Sequence, residues 1–240
     1  MQPSRGRDGS RFGAMPQADE LLSAFYDQRA GEEPESDPEA LLRFDKALAA
    51  AELRPGDRVL DLGAKHGGLG RRARDAGIDV AYTGLELSAE NIRRAAENGF
   101  DVREADLAKP LPVADAGYDC VFCLEILEHV TMPLALLQEM RRVLTDGGRA
   151  IVSVPSPYSW VEVYRELFGR HDPEGHLSSF TTPVMRNLAA LAGFRVARTL
   201  GTSIRIPRTM RLISTDSILA RSRIYVLCVT DEPVFAGRSL

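Results

Sequence analysis

The chain has 240 residues, 44% of them hydrophobic and 27% charged, the composition of an ordinary globular domain long enough to bury its own core. Three cysteines are too few for a disulfide framework, and a net charge of −4 leaves no electrostatic footprint for nucleic acid. No apolar run approaches the roughly 18 residues of a membrane span, and the basic N-terminus has no apolar stretch behind it that would make a secretory signal. A cytoplasmic enzyme is the expectation.

Residues 1–17 are rich in Gly, Ser, Arg and Pro without periodicity and read as a flexible tail. Residues 18–55 predict two helices, a lid or side layer. Asp19–Ala30 carries Leu21, Leu22, Phe25 and Tyr26 at helical spacing, and Pro38–Leu53 is capped by Asp37. From residue 56 to 240 strands and helices alternate. RVLDLG (58–63) is a strand ending in glycine, Gly67 to Ala76 a helix, and DVAYTGLE (79–86) a second strand. Ser88 caps a helix that stops at Asn98-Gly99. Strands DVREAD (101–106), YDCVFCLE (118–125) and GRAIVSVP (148–155) follow, the last preceded by a helix from Pro133 to Leu144. Helices near Trp160–Phe168 and Pro183–Ala192 and strands near 194–200 and 223–230 complete the pattern. It predicts a doubly wound, Rossmann-like α/β domain with an N-terminal helical extension.

In such sheets ligands bind outside the carboxyl ends of the strands. Four of those ends carry suggestive residues. Asp61-Leu62-Gly63-Ala64-Lys65-His66-Gly67-Gly68 is a glycine-rich turn feeding a helix. Glu86 can accept two hydrogen bonds from a ribose diol, Asp106-Leu107 can take an adenine amino proton, and Leu124-Glu125 ends the fourth strand. Here the sequence resembles the class I S-adenosylmethionine-dependent methyltransferases. VLDLGAKHGGLG stands at that family's first motif, LELS at the ribose acid, EADL at the adenine-side acid, and YDCVFCLEILEHV at the fourth motif. VLTDGGRAIVSVP matches the segment leading into the fifth strand, so the resemblance covers residues 40 to 200 in order. It implies a seven-stranded sheet whose last strand, 223–230, runs antiparallel. It also implies S-adenosylmethionine bound by Asp61, Gly63, Lys65, Gly67, Glu86, Leu87, Asp106, Leu107 and Leu124.

One departure stands inside the first motif, where Lys65 replaces a glycine. Three readings are open: Lys65 pairs with the cofactor's carboxylate, points to solvent, or obstructs the site. The Gly68-Leu69-Gly70-Arg71-Arg72-Ala73 match to a dinucleotide fingerprint begins five residues beyond the strand end and is set aside.

For chemistry, Glu125, Glu128 and His129 follow the fourth strand at once; a helix there would bring them together. His129 is the first candidate for a general base, with Glu125 beside it; His171 is a weaker candidate and His66 a loop residue. The E-x-x-E-H segment is similar to that of the ubiquinone-biosynthesis O-methyltransferases. With a later histidine, it is similar to the small-RNA 2′-O-methyltransferases. That resemblance implies Glu125, Glu128, His129 and His176 as ligands of a divalent cation such as Mg²⁺. Many relatives without a metal carry a similar L-E-H-V segment, so both readings stand.

Cys120-x-x-Cys123 falls on opposite faces of a strand and does not make a zinc site. Tyr158, Trp160 and Tyr164 are either a substrate wall or core, and the arginines between Arg195 and Arg223 either bind an acidic substrate such as a phosphate, nucleotide or carboxylate or, the preferred reading, form a solvated face. The expected function is methylation of a small-molecule acceptor, at oxygen. A methyltransferase-like binding module that has lost transfer and a metal-dependent RNA 2′-O-methyltransferase are the alternatives. The oligomeric state and the acceptor are open.

Overall fold

The computed structural model of the protein describes residues 37–206 and 211–230. The predicted tail 1–17 and helix Asp19–Ala30 lie outside the described residues. The first element described is α1, Pro38–Ala51, whose free first turn is capped by the Asp37 carboxylate accepting from the Glu39 N–H at 3.1 Å. Its apolar stripe, Ala47, Leu48, Ala50 and Ala51, is buried against the sheet. Arg149 donates to the carbonyls of Ala51 and Glu52 and so closes the far end of the helix. α1 thus packs as a layer on the sheet.

The remaining elements follow the predicted alternation. They are β1 (Asp57–Leu62), α2 (Gly68–Asp75), β2 (Val80–Glu86), α3 (Ala89–Glu97), β3 (Val102–Glu104) and β4 (Tyr118–Leu124). Then come α4 (Pro133–Val143), β5 (Leu144–Pro155), α5 (Trp160–Leu167), α6 (Thr182–Leu191) and β6 (Phe194–Gly201). A small hairpin, β7 (Ser203–Arg205) with β8 (Leu212–Ser214), precedes β9 (Ser222–Val229). The main sheet has seven strands in the order β3-β2-β1-β4-β5-β9-β6. β1 to β5 pair in parallel, and β9 runs antiparallel to both of its neighbours, as expected. Strand order reverses between β1 and β4, and the crevice at their carboxyl ends is where this architecture places a ligand.

β4 shows why the central strands read as unbroken apolar runs. Cys120 and Phe122 are buried on the α1–α2 face, and Val121 and Cys123 on the α4–α6 face. The two cysteines therefore point apart, as alternation requires.

Three expectations are corrected. The helix placed over Pro133 to Leu144 stops at Val143, and β5 begins at once, because fully buried Leu144 pairs with Tyr118. The strand register then shifts between Tyr118 and Cys120, which lets Asp146 and Gly147 stay exposed. The strand placed over DVREAD is only three residues long, since Asp106 already belongs to the following turn. The arginine-rich stretch is a solvated face only in part: Arg195, Arg198 and Arg211 are exposed, but three others are half-buried and engaged. Arg205 pairs with Glu39 at 2.9 Å, Arg223 donates to the Asp216 and Ser217 carbonyls, and Arg221 binds Glu162 and Glu174.

Candidate functional site

The turn after β1 is built from left-handed residues. Gly63 (φ 70°), Lys65 (φ 46°) and Gly67 (φ 85°) let the chain reverse and enter α2. A side chain at Gly63 would collide with Ile126, so glycine there is a packing requirement. Lys65 occupies a region that costs a residue with a Cβ about 1 kcal/mol, and its backbone N–H is repaid by a 2.9 Å bond to Glu86 Oε2.

Glu86 ends β2 and is 8% exposed. Its Oε1 accepts from the N–H groups of Leu87 and Ser88 at 3.0 and 2.9 Å, so one carboxylate ties three backbone groups across two strands' ends. Asp61, buried beneath the turn, accepts from the Tyr82 hydroxyl at 2.7 Å on Oδ2. Burial pushes the Asp61 carboxyl up to about 7; the Tyr82 bond opposes this and the nearby Glu86 charge adds to it. Asp106 lies in the turn after β3. Partial burial raises its carboxyl, but Lys109 Nζ at 2.9 Å and the Ala108 N–H outweigh it and hold it below the usual range. Leu107 packs against the core and Leu124 is half-buried at the end of β4. Three acids thus stand at the ends of β1, β2 and β3 around one glycine-rich turn.

The β4 end is arranged differently from expectation. Residues 127–129 form a turn instead of a helix, and Glu125 precedes it at φ 56°. Its carboxylate is engaged on both sides, by Ser153 Oγ at 2.8 Å and Ser222 Oγ at 3.0 Å, with Arg43 of α1 at 3.9 Å. The potential ligand atoms that do converge are those of Glu128, His129 and His176, all within 4.8 Å of one another. Glu125 is not in that cluster, which corrects the four-residue set; its left-handed backbone and two serine partners turn it aside.

Glu128 is 1% exposed and neither carboxylate oxygen has a hydrogen-bond partner among the described residues. Burial pushes its carboxyl well above the ordinary range, and the Glu125 charge pushes it further. His176 reaches the cluster because the segment before α6 is anchored on the turn. The Glu128 carbonyl accepts the N–H groups of Leu177 and Ser178 at 2.8 and 3.1 Å. Asp172 Oδ2 takes both the His176 backbone N–H and Nδ1, at 3.1 and 2.9 Å, and the His129 and His176 rings lie 4.9 Å apart. His171 is exposed and stands apart; His66 is buried in the glycine-rich turn.

Beside this cluster a cavity of about 260 Å³ opens between Pro155 and Pro157 after β5 and the segment Leu177–Phe180, with Glu162, Asp172 and His176 on its walls. Tyr158, Trp160 and Tyr164 are 41%, 46% and 45% exposed, so of the two readings for them core packing fails. Sequence reasoning missed Tyr82, Arg43, Ser153 and Ser222. A serine inside the apolar run IVSVP was a usable signal, because a polar group buried in a central strand needs a partner.

The profile of the family described as "Methyltransferase domain" matches residues 35–199. The chain belongs to that methyltransferase family. A 27-O-demethylrifamycin SV methyltransferase of Amycolatopsis mediterranei is 34% identical over 50% of this chain and 48% of its own length. A demethylmenaquinone methyltransferase of Beutenbergia cavernae is 33% identical over 60% of this chain and 57% of its own. A ubiquinone biosynthesis O-methyltransferase of Xanthomonas oryzae is 29% identical over 59% and 63%. The matches therefore span about half the length of these curated relatives. Among solved structures, a SAM-dependent methyltransferase of Thermotoga maritima superposes with a TM-score of 0.64 at 18% identity, covering 87% of this chain and 98% of that one. One from Archaeoglobus fulgidus gives 0.63 at 16%, covering 85% and 98%. These share the fold of the methyltransferase domain. No helix among its described residues is long and apolar enough to cross a membrane.

Proposed function

We propose that this methyltransferase domain transfers the methyl group of S-adenosylmethionine to an oxygen of a small-molecule acceptor. The carrying observation is the row of acids Asp61, Glu86 and Asp106 at successive strand ends around the glycine-rich turn. Such a row suits a ligand with a cationic sulfonium and ammonium, a ribose diol and an amino-bearing base. The cofactor supplies an activated methyl; the protein orients the acceptor and manages its proton. Glu86 would receive the ribose hydroxyls beside Leu87, Asp61 the cationic end, and Asp106 with Leu107 the adenine, while Gly63, Gly67 and Leu124 bring backbone close to the ligand. Arg43, 3.9 Å from Glu125, is the cation placed to take the amino-acid carboxylate, with Lys65 as a second candidate.

The acceptor belongs in the cavity beyond β5, where His176 on the wall can take a hydroxyl proton, with the His129 ring 4.9 Å from it. The relatives named as a 27-O-demethylrifamycin SV methyltransferase and a ubiquinone biosynthesis O-methyltransferase favour oxygen as the accepting atom. A second reading, a divalent cation such as Mg²⁺ on Glu128, His129 and His176, is favoured by the buried, unpartnered Glu128 carboxylate. Two carboxylate oxygens and two imidazoles are an acceptable donor set for such an ion, which would polarise the acceptor oxygen. The net charge of −4 argues against an RNA acceptor, and the cytoplasm is the compartment that three reduced cysteines suit.

Calorimetric titration with S-adenosylhomocysteine, with and without chelator and Mg²⁺, tests both readings. Micromolar binding is expected. Its absence in every condition would sink the transfer reading in favour of a binding module marked by Lys65. Identical acceptor turnover with chelator and with Mg²⁺ would sink the metal.

A further inference from the structure

The geometry points to Tyr82 as a positioning residue for cofactor binding, its hydroxyl holding the Asp61 carboxylate in the ionised, ligand-ready state. The inference rests on the cofactor site proposed above and adds a residue that belongs to no recognised motif of the chain.

β1 and β2 pair in parallel with Val59 opposite Tyr82 and Asp61 opposite Gly84. Tyr82 and Gly84 are two residues apart on one strand and so share a face, and Asp61 stands on that face of β1. With no side chain, Gly84 clears the path along which the Tyr82 hydroxyl leans from its own pair to the next. A Cβ at Gly84 would lie 2.6 Å from the Ala64 Cβ and 3.4 Å from the Tyr82 hydroxyl. The ring itself is fixed. A Cβ at Gly70 would meet its Cζ at 3.0 Å, and Phe100 packs edge-on at 5.7 Å between centroids. The hydroxyl is thereby delivered to one of the two carboxylate oxygens, Asp61 Oδ2, at 2.7 Å.

The electrostatics explain why this bond matters. Asp61 is 4% exposed, and burial disfavours its charge. The groups that face it are few. From β2 come Tyr82 and Glu86, and the Glu86 charge opposes ionisation further. From β4 the residue paired with Asp61 is Phe122, which carries no charge, and Cys123 lies on the other face of the sheet with its thiol kept protonated by burial. Lys65 and His66 belong to the turn that follows Asp61 itself. The Tyr82 hydroxyl is the direct hydrogen bond that favours the anion. It is a dependable donor, because burial and the Asp61 charge push the phenol well above its ordinary value. A cationic ligand needs the anion; Tyr82 keeps it populated near neutral pH.

The test is Tyr82→Phe, which removes one oxygen and keeps the ring. In ligand-free protein, the Asp61 carboxyl ¹³C titration should move to higher pH by about one unit. Affinity for S-adenosylhomocysteine, which keeps the ammonium, should fall about fivefold at pH 7 and return to the wild-type value near pH 9. That fivefold is the loss of anion that a one-unit shift produces at pH 7. Comparing the two proteins at each pH cancels the ligand's own titration. An unmoved Asp61 midpoint, or a loss of affinity equal at every pH, would overturn the inference in favour of simple packing. Should Tyr82→Phe fail to fold, Asp61→Asn serves: its affinity deficit against wild type must widen from pH 6 to pH 8.5, and a constant deficit overturns the inference. Failure of wild type to bind the ligand would count against the cofactor site alone, since the ligand-free titration still reads the Tyr82–Asp61 coupling.

Discussion

The two ends of the sheet's carboxyl edge are held by different kinds of contact. On the β1–β2 side, Glu86 is fixed by the backbone N–H groups of Lys65, Leu87 and Ser88, all within 21 positions of it. On the β4–β5 side, Glu125 is fixed by side chains 28 and 97 positions away, Ser153 and Ser222. Backbone groups come with any sequence that makes the turn; side-chain partners have to be specified one by one. The first kind of contact asks little of the side chains around it, and the second asks for particular residues far apart in the chain.

The largest effect expected from breaking this contrast is at Glu86. Glu86→Ala frees three backbone donors and removes the proposed ribose acceptor, and should weaken cofactor binding at least about a hundredfold, measured by calorimetry. A loss under tenfold would mean that the backbone cradle is not the cofactor side's organiser. Next is Arg221, which joins the start of β9 to Glu162 of α5 and to Glu174. Arg221→Ala leaves two partly buried carboxylates short of a cation and should cost on the order of 2 kcal/mol in chemical denaturation. It should raise acceptor KM and leave cofactor affinity unchanged; a cofactor defect would show that the halves are not separable.

Asp61 sharpens the contrast through pH. Its carboxyl stands at about 7 in the folded chain against 3.8 ordinarily. Between those values the unfolded chain has lost the proton and the folded chain has kept it, so this group's contribution to stability falls as pH rises from about 4 to 7. Asp61→Asn should therefore raise Tm at pH 8, by the equivalent of roughly 2–4 kcal/mol, with little gain at pH 4, while cofactor affinity is weakened. A Tm gain equal at both pH values would contradict the assignment. The smallest effect is at Ser222→Ala, which removes one of Glu125's two serine bonds. It should cost about 1 kcal/mol and shift turnover without moving the cofactor Kd.

The same contrast decides what could be read from the chain. The alternation of strands and helices, the Asp37 and Ser88 caps and the acids at three strand ends follow from local periodicity and spacing and were legible; the antiparallel last strand came only with the family resemblance. The E-x-x-E-H cluster was legible in part. His176 was foreseen beside Glu128 and His129, but Glu125 was expected to turn with them on a helix, and a left-handed residue with two distant serines sends it elsewhere. Tyr82 went unnoticed because a tyrosine in a strand reads as core, and only the three-dimensional register shows where its hydroxyl ends. The β7–β8 hairpin was missed because its three-residue strands carry no period to detect.

Helix α5 carries a last consequence. None of its residues is buried, and it is tied down chiefly by charge, through Glu162 to Arg221 and Arg165 to Asp172 and Glu174. Such a wall has no hydrophobic floor to settle back onto, so its stiffness depends on the surrounding electrolyte. At 1 M salt, where screening acts over about 3 Å, α5 should exchange its amide hydrogens as a separate unit long before the sheet does. The acceptor chamber would then loosen while the cofactor cradle, fastened by backbone, keeps its shape.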